Sequence, residues 1–279
     1  MPSVSAEIER IIKAKDALIL SGFASMRDIL KELRSQVQVE LGASALSSWD
    51  AYSLKTTLNA IERRISDASG KAESEISGLT DRAWVMGAEL VDAPISTSGI
   101  YVGFNISSSA IERLAMKEFA GHITQNLYGD AWARIKSELT LGVLGGKTPQ
   151  DVAKAIGLTI PGPSIFASIE ERAMVITKTE MGRTFSKATQ SRMEEAASQV
   201  DGLEKQWLHK GHPRVARPYH LALNGLHIPV DEPFLVGNVA MMFPRDPKAP
   251  INEVINCGCD HVPYHSRWVD GLINGERRF

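Results

Sequence analysis

Eight apolar residues in one stretch limit what this chain can fold into. Leu54, Leu58, Ile61, Ile65, Ala68, Ala72, Ile76 and Leu79 follow one another at spacings of 4, 3, 4, 3, 4, 4 and 3. An α-helix brings such positions onto one side because it turns once every 3.6 residues, whereas a strand would scatter them over both faces. At 1.5 Å per residue the stripe is about 40 Å long. A narrow, near-heptad stripe has to be covered by another helix. That cover is either a neighbouring helix of the same chain, making an internal hairpin, or a helix of a docking partner.

The rest of the first half also reads as helix. Ile8, Ile11, Ile12, Leu18 and Ile19 share a face, although Lys15 lies on it too and breaks the stripe. Gly22 reads as an interruption, after which Met26, Ile29, Leu30, Leu33 and Val37 resume the pattern up to Gly42. The stretch from Val91 to Ser109 is rich in serine and contains Pro94, Gly99 and Gly103. It predicts a loop with one short extended piece over Ile100 to Ile106. Ser109 can cap a helix running to Leu139, with Ile111, Leu114, Ala115, Phe119, Ile123, Leu127, Ile135 and Leu139 as its apolar positions and Gly142 as its stop.

The sequence GVLGGKT that follows is not a phosphate-binding loop. That motif needs a glycine five positions before the last one, and Leu141 stands there. Thr148, Pro149 and Asp151 instead read as the N-cap, N1 and N3 of a short helix ending at Gly157. Pro161-Gly162-Pro163 then marks a rigid break. It divides a helical, partner-docking domain over residues 1–160 from a second domain over 161–279.

A helix over Ser164 to Val200 opens the second domain. Ile169, Ala173, Ile176, Glu180 and Thr184 fall along one side, so Glu180 projects from an apolar face. A buried carboxylate needs a partner or takes up a proton. Arg217 or His220 would supply one, the alternative being a half-exposed salt bridge at the core's edge. Beyond Gly202 the pattern becomes short extended pieces, with strands predicted over 226–230, 234–236 and 239–242 and a hairpin at Asn224-Gly225. Ten of the thirteen prolines lie beyond Ile160, which leaves little room for long helix after that point. The fold class is therefore α+β: a mainly helical N-terminal part with a long helix, and a C-terminal helix packed on a small irregular β-sheet.

Six of the seven histidines, His209, His212, His220, His227, His261 and His265, lie after Lys205, and both cysteines, Cys257 and Cys259, lie among them. Thiolate with imidazole is a donor set that zinc favours. A site built from Cys257, Cys259, His220 and one more histidine is one reading. It needs Gly258 to bend the chain, because structural sites ordinarily space their cysteines by two to four residues. The other reading packs the cysteines as small buried groups and gives His220 a core hydrogen bond. A metal-dependent hydrolase or nuclease would use the same cluster around a metal-bound water. No HExxH motif accompanies it. Lys205, Lys210, Arg214 and Arg217 form a run of positive charge without an acid, suited to phosphates, to an acidic partner, or simply to solvent.

Composition bounds the remaining classes. With a net charge of −2, attraction of nucleic acid by the molecule as a whole is not expected, and any such contact must be local. With 43% apolar and 23% charged residues, and no apolar run near the roughly 20 that span a bilayer, the chain reads as a globular protein of a reducing cytoplasm without a membrane partner. No secretory signal is legible at the N-terminus.

One order of residues carries a resemblance. Ile176-Thr177-Lys178-Thr179-Glu180 on a helix precedes Trp207, Arg217, His220, Leu223-Asn224-Gly225, Pro229-Val230-Asp231, Pro233-Phe234, Pro244 and Asn256-Cys257-Gly258-Cys259. Over about the last 110 residues this resembles the phage Mu F-like minor head proteins, the phage head morphogenesis family. Two positions depart from that pattern: Lys178 replaces an arginine, and Gly258 a basic residue. The guanidinium chemistry of both places is therefore missing. The resemblance implies a virion head protein assembled in the bacterial cytoplasm, associated with the portal protein, with genomic DNA and the major capsid protein as further partners. It implies a role in head morphogenesis and DNA packaging or delivery, no small-molecule substrate and no catalysis. Thr179, Glu180, Arg217, His220 and Asn256 are then a polar cluster that props up the domain.

Overall fold

The computed structural model describes residues 3–43, 51–103, 110–145, 147, 151–152, 156, 165–210 and 216–268. It is an α+β protein. Among the described residues, four long helices, α1 (Val4–Ala43), α2 (Ala51–Thr97), α3 (Ala110–Leu144) and α4 (Ile165–Ala197), precede the small elements of the tail. These are β1 (Glu204–Leu208), α5 (Pro218–Ala222), β2 (His227–Pro229), β3 (Phe234–Val236), β4 (Val239–Met241), α6 (Ile251–Val254) and β5 (Asp260–Tyr264). No helix among the described residues is long and apolar enough to cross a membrane.

Packing divides the chain into two compact units, neither of them continuous in sequence. One comprises Met1–Leu20, Gly78–Lys117 and Lys178–Phe279; the other comprises Ser21–Ser77 and Glu118–Thr177. The single break expected near residue 160 thus does not describe the grouping. The first turns of α1 belong with the tail because Ile8, Ile11 and Ile12 share a core with Leu208 of β1 and Val262 of β5.

In the second unit the long stripe holds as read. Ile61, Ile65, Ala68, Ala72 and Ile76 are buried, with Leu54 and Leu58 half-buried. Helices of the same chain flank it: Lys71 and Arg64 pair with Glu32 and Glu40 of α1, and Gln125 and Trp132 of α3 donate to Glu73 and Glu62. The stripe is therefore an internal contact rather than a free docking face. Gly22 does not interrupt α1. A glycine costs a helix interior about 1 kcal/mol, and the burial of Met26, Leu30, Leu33 and Val37 outweighs that. Gly142 likewise does not stop α3. It sits inside the helix where Val152 packs, and a Cβ there would stand 2.3 Å from Val152 Cγ2. The buried face of α3 starts at Ala120; Ile111, Leu114 and Phe119, expected inside, are exposed.

The loop expected from Val91 begins only after Thr97. α2 continues through Pro94 because Val91 and Ile95 pack on Met193 and Ala196 of α4 and on Val200 just beyond it. It ends where Gly99 takes φ +81°. The amide of Gly99 donates to Ser96 O (3.0 Å) and that of Ile100 to Ile95 O (3.2 Å), a Schellman cap. Ile100 to Gly103 form no strand. Residues 104–106, the Ser109 cap, Thr148, Pro149 and the 161–163 break lie outside the described residues.

In the first unit β1 is the middle of a three-stranded antiparallel sheet in the order β2-β1-β5, and β3 pairs with β4. The predicted strands over 226–230, 234–236 and 239–242 correspond to β2, β3 and β4. β1 and β5, the pair that anchors the sheet, had no alternating pattern to announce them. Asn224-Gly225 does not close a hairpin. It turns the chain from α5 into β2, with Gly225 N–H on Trp207 O (2.9 Å). Residues alternate sides along β1. Leu208 faces Phe185 of α4 in one core, while Trp207 joins Phe234, Met241, Cys257 and Cys259 in another.

Candidate metal centre

Two segments 37 residues apart in sequence meet at His220 and the Cys257/Cys259 pair. α5 presents His220; Pro218 starts this short helix after Arg217, whose extended backbone (φ −75°, ψ 124°) forms its N-cap. The two cysteines sit in the turn between α6 and β5. Asn256 enters that turn at φ +54°, a left-handed conformation that asparagine tolerates better than most residues. Its amide donates to Thr179 Oγ1 of α4 (3.0 Å). On the other side Arg245 Nη1 donates to Cys257 O (2.8 Å), while its Nη2 donates to Ser186 Oγ (3.0 Å) and Asp260 Oδ1 (2.9 Å). Gly182 makes room for that guanidinium: a Cβ at this position would lie 2.7 Å from its Cζ. The cysteine turn is thus strapped from both sides.

His220 Nδ1 lies 3.5 Å from Cys257 Sγ and 3.6 Å from Cys259 Sγ. One donor atom from each of the three residues falls within 4.8 Å of the other two, and all three side chains are buried. The other ring nitrogen of His220, Nε2, is 2.9 Å from Glu253 Oε2. Nδ1 therefore faces the sulfurs while a carboxylate holds the ring from behind, the usual support of a metal-ligating histidine. The edge of Trp207 closes one side of the imidazole at 5.5 Å between centroids, and Phe234 meets Trp207 at 5.1 Å.

The electrostatics favour one thiolate in the cluster. Its bond to Cys259 holds Cys257 well below the ordinary thiol range against the effect of burial, with His220 and Arg245 acting the same way. The same bond, with burial, drives Cys259 up. Burial lowers His220, but its contacts with Cys257 and Glu253 outweigh that and leave it raised. A bound dication would draw the remaining thiol proton off. The donor set of two thiols and an imidazole, buried with its second shell in place, can hold a metal ion.

The predicted polar cluster is gathered only in part. Thr179 meets the backbone of Asn256, as above. Arg217 and His220 approach the same carboxylate: Arg217 Nε is 4.0 Å from Glu253 Oε2, and its Nη2 donates to Ile255 O (2.8 Å). Glu180 takes neither expected partner. Arg183, one turn along the same helix, binds it at 2.5 Å. A partner already on the helix face costs less chain ordering than one brought from afar. Burial still pushes the Glu180 carboxyl up, with Arg183 opposing.

Nor do the three described basic residues, Lys205, Lys210 and Arg217, make one surface. Lys205 is completely buried, 0% exposed, and donates to Met242 O (2.8 Å) and Gln190 Oε1 (3.2 Å). It lies on the Trp207 side of β1, with its ammonium above the Phe234 ring. Lys210 pairs with Asp16, and Arg217 faces Glu253. Arg214 and His212 lie outside the described residues. Glu253 and Arg245 had no sequence signal of their own, since each is placed by tertiary contacts alone, whereas His209 was one of the histidines crowded after Lys205.

No protein-family model matches the chain, and no solved structure matches it. Among curated proteins it is similar to the uncharacterized protein YqbB of Bacillus subtilis (strain 168), 30% identical over 146 residues. Those residues make up 51% of this chain and 45% of that protein, so the likeness spans less than half of the relative's length.

Proposed function

We propose that this chain is a phage or prophage minor head protein. In this reading it associates with the portal and acts in head morphogenesis and DNA packaging or delivery, and its Cys/His cluster is a structural zinc site. One observation carries the reading. Trp207, Leu223, Phe234, Cys257 and Cys259, members of the head-morphogenesis pattern spread over some fifty residues, pack in one buried cluster with His220 edge-on to Trp207. A pattern whose members hold one another is an architectural pattern.

The separations suit zinc. Zn–S bonds of about 2.3 Å and Zn–N bonds of about 2.0–2.1 Å, at tetrahedral angles, set sulfur and nitrogen about 3.6 Å apart. His220 Nδ1 stands 3.5 and 3.6 Å from the two sulfurs. Cys257, Cys259 and His220 would hold the ion, with Glu253 fixing the tautomer of His220. Such an ion supplies cross-linking energy to a tail with little regular structure.

The test is co-expression with the portal protein encoded in the same genome. A tagged chain is expected to capture the portal, and the purified chain to carry one zinc that Cys257→Ser removes. The competing reading is a metal-dependent hydrolase or nuclease centred on the same residues. Metal-dependent cleavage of DNA that disappears in Cys257→Ser, with no portal capture, would replace our reading by that one.

A further inference from the structure

Three ligands leave a tetrahedral ion one position short, and the fold places one further imidazole beside Cys259. His209 follows the last residue of β1, and its Nδ1 is 3.3 Å from Cys259 Sγ. Its backbone is pinned. The His209 amide donates to Asn224 Oδ1 (2.9 Å), and the neighbouring Trp207 exchanges backbone hydrogen bonds with Leu226 O and Gly225 N–H (both 2.9 Å). The side chain is half-buried.

From this juxtaposition we infer that His209 is the fourth ligand, binding through Nδ1, and that Asn224 is the positioning residue that aims it. The inference rests on the zinc reading of the cluster and deepens it. The site becomes a closed Cys2His2 tetrahedron that ties the end of β1, helix α5 and the 257–259 turn to one ion. A closed site takes a thiophilic dication that accepts tetrahedral geometry, zinc above all, and offers no open position to a substrate.

Cobalt(II) is the probe, because its visible bands are intense only in a tetrahedral field. Metal-free protein is titrated with cobalt(II) in five forms: wild type, His209→Ala, His209→Cys, Asn224→Ala and His212→Ala. Wild type is expected to bind one cobalt with the intense tetrahedral bands. His209→Ala should lose the intensity and bind more weakly than the roughly 10- to 100-fold loss typical of an outer-shell partner. Added imidazole should restore its bands, which repair of a merely structural defect would not do. His209→Cys should keep the tetrahedral bands with a stronger sulfur charge-transfer absorption. Asn224→Ala should weaken binding about 10-fold while keeping the wild-type spectrum.

Wild-type spectrum and affinity in His209→Ala would overturn the inference and leave the three-residue zinc site standing. Loss of the bands in His212→Ala instead would do the same, by assigning the position to another histidine. A wild-type protein that takes up no cobalt would overturn the zinc reading itself, and this inference with it.

Discussion

Lys15 and Asp260, 245 residues apart in sequence, form a buried ion pair between α1 and the first residue of β5. Both side chains are nearly inaccessible, at 3% and 0% exposure. Arg245 binds the second oxygen of Asp260 at 2.9 Å. Burial pushes the Asp260 carboxyl up, but Lys15 and Arg245 together hold it far below its usual range. The lysine that broke the apolar stripe of α1 is thus the residue that ties the helix to the sheet.

Removing Asp260 should therefore cost far more than removing Lys15. Asp260→Ala strands two cations in the core, and breaking a buried pair this way costs about 3–5 kcal/mol. Lys15→Met leaves Asp260 bound to Arg245 and should cost less. Denaturant unfolding of both variants checks the order; equal losses would mean that Arg245 contributes nothing.

A second expectation concerns Lys205. Burial lowers its pKa from 10.5 to about 8. A lysine lowered in the fold is penalised wherever both states are protonated, that is, below about pH 8. The penalty fades as pH rises toward 10.5, because only the unfolded chain then still holds the proton. The gap corresponds to about 3 kcal/mol. Measured against Lys205→Met, wild-type stability should rise by about that amount between pH 7.5 and 10.5. Parallel pH profiles of the two proteins would refute this.

Helix α2 crosses α4 at Gly87 with no room for a side chain. A Cβ there would stand 2.4 Å from Phe185 O and 2.7 Å from Ala188 Cβ, and Thr189 Oγ1 donates to Gly87 O (3.0 Å). Gly87→Ala should destabilise by about 1–3 kcal/mol or more. Gly78→Ala, in the same helix with nothing within 4 Å, should stabilise by about 0.5–1 kcal/mol. Thermal melts of the two variants should move in opposite directions.

Metal removal gives the fourth expectation. If free zinc stands 100-fold above its dissociation constant, the ion stabilises the fold by about 2.7 kcal/mol. A strong chelator should then lower Tm by about 5–10 °C for a chain of this size. Cys259→Ser should melt near the chelated wild type and ignore the chelator. A wild-type Tm indifferent to chelation would count against the site.

The sequence by itself determined the helices and the donor set. A stripe at spacings of 3 and 4 can be buried only as a helix, whatever lies around it, so Ile61 to Ile76 were legible. Cysteine and histidine are chemically rare, so their crowding after Lys205 pointed to Cys257, Cys259 and His220 before any contact was known. Tertiary structure alone decided the rest. Lys205 looked like surface charge until strand alternation set it beside Trp207 in the core. Glu180 found its cation one turn away at Arg183, and the carboxylate behind His220 proved to be Glu253. Gly22, Pro94 and Gly142 signalled breaks, but the burial of their neighbours outweighed their cost of about 1–3 kcal/mol each. Periodicity describes one element at a time; which charge meets which, across 245 residues for Lys15 and Asp260, depends on how elements pack, and no local pattern encodes that.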